Sequence, residues 1–134
     1  MDYRDLNLLT DREEIKKIQS VRKIVEFYQV DYECAPDDLI IRVIENEDGS
    51  FTAIANYSFR GPKQSAPLNN VYTKNTSKEA LQEILRGITE FNNNDYPEKV
   101  LFWEAENGTI YDGSGKEVSH DEVNERIDEY KKSS

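Results

Sequence analysis

The sequence predicts an α+β protein, an antiparallel sheet of four or five strands with helices packed mainly on one face. Three observations carry this. Two alternating, β-branched runs are each joined by a tight turn, as "LIIRVIENEDGSFTAIANYSF" and "KVLFWEAENGTIYD". Tight turns make the strands they join antiparallel. Three capping boxes of the Ser/Thr-x-x-Glu type, Thr10/Glu13, Thr76/Glu79 and Ser119/Glu122, each precede a run of helical periodicity, and such boxes satisfy the orphan N–H groups at a helix start. The resulting order is α-β-β-(β)-α-β-β-α, in which hairpins and helices do not alternate as a parallel sheet would require.

Taken in order, the first helix begins at the Thr10 box and carries Ile15, Ile18, Val21, Val25 and Tyr28 at helical spacing. It is expected to fade by Asp31, ahead of Pro36, which disfavours helix in the residue before it. The hairpin that comes next has two possible registers. A two-residue Asp48-Gly49 loop would put Arg42 opposite Ala55 on the apolar face. A three-residue loop, opened by Asn46 with Gly49 left-handed, pairs Val43 with Ala53 and Ile41 with Ala55, keeps apolar and polar faces apart, and is preferred. Phe51, Ala53, Ala55, Tyr57 and Phe59 then share one face.

A short strand around "NVYT" precedes the second helix, which has Ala80, Leu81, Ile84, Leu85, Ile88 and Phe91 on one side. Gly87 interrupts that helix at up to about 1 kcal/mol relative to Ala, either for a close contact with the sheet or at a frayed turn. In the second hairpin Asn107-Gly108 calls for a type I′ turn pairing Ala105 with Ile110. Val118 is expected in a short strand. The last helix buries Val123, Ile127 and Tyr130. One domain spans 1–134, with fraying at about 1–9 and 131–134.

Composition excludes several functions. With 27 Asp and Glu against 17 Lys and Arg, the net charge is -10, the isoelectric point is about 4.6 and the mean hydropathy is -0.82. Such a charge disfavours direct nucleic-acid binding and attraction to anionic membranes, and favours basic partners. No apolar run is long enough to span a membrane. No secretory leader is read at the N-terminus, and a single cysteine, Cys34, is consistent with a cytoplasmic protein.

Reactive constellations are absent. The single histidine, His120, sits behind an N-cap and reads as a solvated first-turn residue. Cys34 lies among Glu33, Asp37 and Asp38, which discourage a thiolate. One cysteine and one histidine cannot close a zinc site. "YDGSGKEVS" fails the Walker pattern, because Ile110 stands where its first glycine should be and Glu117 comes after Gly115-Lys116. It also offers Lys116 where a calcium loop needs Asp or Asn, and so reads as a plain glycine turn. Glu104 and Glu106 are expected close together on one strand face, as solubilising charge. The sequence therefore points away from an enzyme and implies no cofactor or metal.

One segment departs from the acidic background. From Asn56 to Lys78 there is no acid, but Arg60, Lys63, Lys74 and Lys78 are present. This segment is either a contact site or an internal counter-charge for the acidic surface. As a site it would use Arg60, Lys63, Gln64, Tyr72 and Lys74 to hold a small anion or nucleotide, with the Thr76 helix start as a second anion-friendly element. The reading favoured by the overall charge is a small acidic, non-enzymatic interaction or regulatory protein of inhibitor, antitoxin-like or immunity-like type. It would bind a basic protein through Glu45, Glu47, Asp48, Glu104 and Glu106. Either a monomer or a homodimer fits: Ile40, Ile44 and Ile54 are apolar residues on the outer sheet face, to be covered by a second copy or equally well by the first helix.

Overall fold

The computed structural model describes residues 21–63, 70–91 and 96–133. These residues form eight strands, two α-helices and one 3-10 turn, and the α+β class stands. The strands are β1 (Lys23–Gln29), β2 (Ile40–Glu45), β3 (Phe51–Ala55), β4 (Tyr57–Arg60), β5 (Val71–Lys74), β6 (Phe102–Ala105), β7 (Ile110–Asp112) and β8 (Glu117–Val118). The helices are α1 (Ser77–Phe91) and α2 (His120–Ser133), and Glu98–Val100 make the 3-10 turn. The strands divide into two antiparallel sheets of four, ordered β1-β2-β3-β5 and β4-β6-β7-β8.

The first hairpin has the three-residue register. Ile41 pairs with Ala55 and Val43 with Ala53. Gly49 adopts φ 88° and its N–H donates to Asn46 O at 3.0 Å. The run from Phe51 to Arg60 is one strand in sequence but serves both sheets, and the exchange occurs at Asn56. Its side-chain amide donates to Asp38 O at 2.7 Å and its Oδ1 accepts the Ile40 N–H at 2.8 Å. Across this corner the alternation survives, and Ala53, Ala55, Tyr57 and Phe59 are all buried. A strand that turns from one sheet into another in this way wraps one core with two sheets.

The second hairpin corrects the type I′ expectation. Ile110 pairs with Glu104 instead of Ala105, and Asp112 pairs with Phe102. Ala105 N–H donates to Thr109 O at 2.8 Å and Gly108 N–H to Ala105 O at 2.9 Å. Gly108 is left-handed at φ 88° while Asn107 is not, so the loop has three residues, like the first hairpin. Burial explains the choice. The expected register would put Asp112 opposite Trp103, which is 1% exposed and packs against Phe59 with ring centroids 5.7 Å apart. A one-residue slip exchanges every side chain between faces. The observed register gathers Phe102, Ile110 and Val118 on the opposite face, which α2 covers with Val123 and Ile127, all buried.

The first expected helix is also corrected over its described part. Residues 23–29 form strand β1, antiparallel to β2 with a bulge between Ile24 and Glu26. Ile24, Val25, Phe27 and Tyr28 are β-branched or aromatic, the residues that fit a pleated surface best, and pairing with β2 overrides a helical spacing that is ambiguous over so short a run. The Thr10/Glu13 box, Ile15 and Ile18 lie outside the described residues.

At the other two capping boxes the N-cap hydroxyl bond forms as expected. Glu79 N–H donates to Thr76 Oγ1 at 3.1 Å and Glu122 N–H to Ser119 Oγ at 3.2 Å. Helix α1 packs on β2, β3 and β5 and touches β4. Gly87 answers to close contact, since a Cβ there would meet the Tyr72 hydroxyl at 2.8 Å.

Asn56→Ala leaves Ile40 N–H and Asp38 O without their side-chain partner and is expected to cost about 1–3 kcal/mol in urea denaturation. Gly87→Ala should gain close to the full helix-propensity difference, about 1 kcal/mol, only in a Tyr72→Phe background that removes the clashing hydroxyl. A four-protein denaturation cycle reads that coupling.

Candidate functional site

The loop between β1 and β2, "DYECAPDD", puts four acids into eight residues, 31–38. Its backbone is held from several sides. Val30 N–H donates to Leu39 O at 2.9 Å and Ala35 N–H to Tyr32 O at 3.1 Å, while Leu39 N–H closes a turn onto Pro36 O at 3.1 Å. The Trp103 indole donates to Cys34 O at 2.9 Å, and Tyr57 OH donates to Asp38 Oδ1 at 2.6 Å. Cys34 takes φ 64°, in the left-handed region. Gly113 fits against the loop because a Cβ there would lie 3.2 Å from Cys34 Cβ and 3.0 Å from Glu98 O. Apart from the Tyr57 bond, these anchors use backbone groups and neutral side chains. Asp31, Glu33, Asp37 and Asp38 all remain exposed.

Three adjoining cavities, of about 290, 330 and 250 Å³, run along this loop and share its residues. Asp31, Glu33, Asp37, Asp38, Glu106 and Asp112 supply six carboxylates to the walls, and Tyr32, Tyr57 and Tyr111 supply rings. Among the described residues no lysine or arginine lines any of the three. Together they make an acidic, tyrosine-bearing furrow.

Ionisation in the furrow is governed by its contacts. Burial, and next the hydrogen bond to Asp38, pushes the Tyr57 hydroxyl above its ordinary range. Burial, followed by the charges of Glu98 and Glu33, pushes the Cys34 thiol up, in keeping with an unreactive cysteine. Asp112 behaves differently. Burial acts to raise its carboxyl, but hydrogen bonds from Ser114, Arg126 and the Lys116 and Ser114 backbone hold it below the usual carboxylate range. Arg126 reaches it at 2.7 Å and Glu122 at 2.9 Å. The "DGSGK" turn is thus built on Asp112 Oδ1, which accepts the N–H groups of Ser114 and Lys116 at 2.9 and 3.0 Å.

A separate cavity of about 130 Å³ opens on the α2 side of the second sheet, lined by Ser58, Arg60, Glu104 and His120 over Phe102, Ile110 and Val123. Ser58 pairs with Glu104 and Arg60 with Phe102 across β4 and β6. The side chains of Ser58, Glu104 and His120 make no hydrogen bond or ion pair among the described residues.

The site residues expected from the sequence are therefore dispersed. Arg60 reaches a cavity wall, Lys63 is exposed, and Gln64 lies outside the described residues. Tyr72 is half-buried against Gly87 of α1, and Lys74 is exposed on edge strand β5, opposite Phe51. Glu45, Glu47 and Asp48 sit at the β2–β3 turn, where Asp48 Oδ1 accepts the Ser50 N–H at 2.9 Å. Glu104 and Glu106 do not form a carboxylate pair; they line different cavities, and Glu106 bridges to Arg42 at 3.1 Å. Sequence reasoning misses Asp31, Glu33, Asp37 and Asp38 as a surface, although their density in "DYECAPDD" is a visible signal.

Among the described residues no three His, Cys, Asp or Glu side chains are placed to hold one metal ion, and no described helix is long and apolar enough to cross a membrane. Comparison with protein-family models, curated proteins and solved structures gave no match.

The folded-state carboxyl of Asp112 lies below its unfolded value of about 3.9, so the stability it contributes is present above that pH and is lost as pH falls through the folded value. Asp112→Asn is expected to cost about 3 kcal/mol at neutral pH, because it leaves Arg126 without its buried partner. Urea denaturation at pH 7 and pH 3 should show the gap to wild type narrowing in acid.

Proposed function

We propose that this chain is a non-enzymatic interaction protein of inhibitor, antitoxin-like or immunity-like kind, and that its acidic furrow receives a basic surface of a partner protein. The carrying observation is the furrow's lining: no lysine or arginine among the described residues, three tyrosines, and six carboxylates of which four, Asp31, Glu33, Asp37 and Asp38, are exposed and form no ion pair among those residues. Carboxylates arranged in this way accept Lys and Arg side chains by charge-assisted hydrogen bonds. Tyrosine is enriched among the residues that dominate interface energies, because it covers area at low entropic cost. A net charge of -10 steers a basic partner in from a distance. The anchoring of the loop by backbone groups and neutral side chains means that little ordering entropy is lost on docking. The small-anion reading of the acid-free segment keeps one support, the position of Arg60 on the wall of the other cavity.

Affinity capture from lysate of the source organism tests this with two baits, wild type and a Glu33→Lys/Asp37→Lys variant, each eluted along a salt gradient. Wild type should retain a basic protein that leaves as salt rises and that the variant does not hold. Equal retention by both baits, or retention indifferent to salt, would sink the reading.

A further inference from the structure

The cavity between β4, β6 and the start of α2 lies apart from the acidic furrow. Its walls carry opposite charges. Arg60 and Ser58 project from β4 on the same face, and Glu104 lies directly across from Ser58 and diagonally from Arg60. Diagonal neighbours on adjacent strands stand roughly 7–8 Å apart, so a cation and an anion face the same small space from two strands. Glu104 and Ser58 bring side chains that make no hydrogen bond or ion pair among the described residues. Phe102 and Val123, both buried, form an apolar floor.

From this arrangement we infer that the cavity is a binding site for a small zwitterion, a free α-amino acid with a short apolar side chain. The carboxylate would lie against the Arg60 guanidinium, close to His120 and the positive end of α2. The ammonium would lie between Glu104 and the Ser58 hydroxyl. The side chain would rest on Phe102 and Val123.

Two magnitudes narrow the ligand class. The volume of about 130 Å³ is near that of an engineered cavity of about 150 Å³ that takes up benzene, and far below the roughly 300–1,000 Å³ of sites for larger ligands. A space this small does not enclose a nucleotide. Charge narrows it further: a chain of net charge -10 repels a simple anion on approach and leaves a molecule of no net charge unopposed. A zwitterion uses both Arg60 and Glu104 as full ion pairs without that penalty.

The test monitors the Val123 and Ile110 methyl groups of the full chain by NMR during titration with L-alanine, N-acetyl-L-alanine, L-alaninamide and acetate. Alanine should shift these methyls saturably. N-acetylalanine, which lacks the ammonium, and alaninamide, which lacks the carboxylate, should each bind roughly ten- to a hundredfold more weakly, the loss of one charge-assisted contact. Glu104→Gln should abolish the preference for alanine over N-acetylalanine while leaving the methyl spectrum of the free protein folded. Should that variant unfold, the derivative series on wild type decides alone. Equal binding of N-acetylalanine or acetate would make this an anion site, equal binding of alaninamide a cation site, and no methyl shift with alanine would remove the site. None of these outcomes bears on the basic-partner reading of the furrow.

Discussion

The corner at Asn56 is the constraint on which the rest of the structure depends. One strand run, Phe51 to Arg60, must keep its alternation while leaving one sheet and entering another. A carboxamide between Ala55 and Tyr57 makes this possible by bonding the Ile40 N–H and Asp38 O. The inward residues on either side, Ala53 and Ala55, then Tyr57 and Phe59, enclose one core with two sheets. The same carboxamide fixes residues 38–40 beside the corner, where Tyr57 of the second sheet bonds Asp38. The acidic loop is therefore a consequence of the corner, tied to the core from one end by Asn56 and from its middle by the Trp103 indole.

Once β4 is placed, burial dictates the rest of the second sheet. Trp103 and Phe59 claim one face, which leaves Phe102 and Ile110 to the other and makes α2 necessary as a cover. That cover reaches the sheet with a buried ion pair, Arg126 to Asp112, whose acid also organises its own turn. A buried pair of this kind contributes little over an apolar substitute, yet losing one partner strands the other. It sets where α2 lies, and hence where its N-terminal His120 meets Arg60 and Glu104.

How much of this is legible in the sequence depends on the range of the deciding contact. The first hairpin register can be read because its loop and its apolar faces agree locally, Gly49 with Val43–Ala53. The second cannot, because Asn107-Gly108 favours one turn locally while the Trp103–Phe59 contact requires another. Residues 23–29 carry both helical spacing and strand-forming side chains, and only pairing with β2 decides between them. The cavity joins Ser58 to His120, and the furrow joins Asp37 to Tyr111, through folding that no local pattern encodes. Acid density in "DYECAPDD" is visible, but not that Trp103, 69 positions from Cys34, holds it on a surface.

The protein treats its carboxylates in two ways, and the difference bears on function. The buried one, Asp112, is neutralised by Arg126 and by N–H donors. Among the described residues, Glu106 is the furrow's one exposed acid with a basic partner, Arg42. Asp31, Glu33, Asp37 and Asp38 form no ion pair among those residues, although the sequence holds 17 lysines and arginines. Like charges held side by side destabilise a compact state, and the loop persists because its backbone is anchored by neutral groups that do not cancel the field. Counter-ions borne by this chain would relieve the repulsion and also extinguish the attraction for anything basic. Acids without an ion pair among the described residues keep the repulsion available to be relieved from outside, and under the proposed reading cations brought by a partner would gain both their own contacts and the release of that strain.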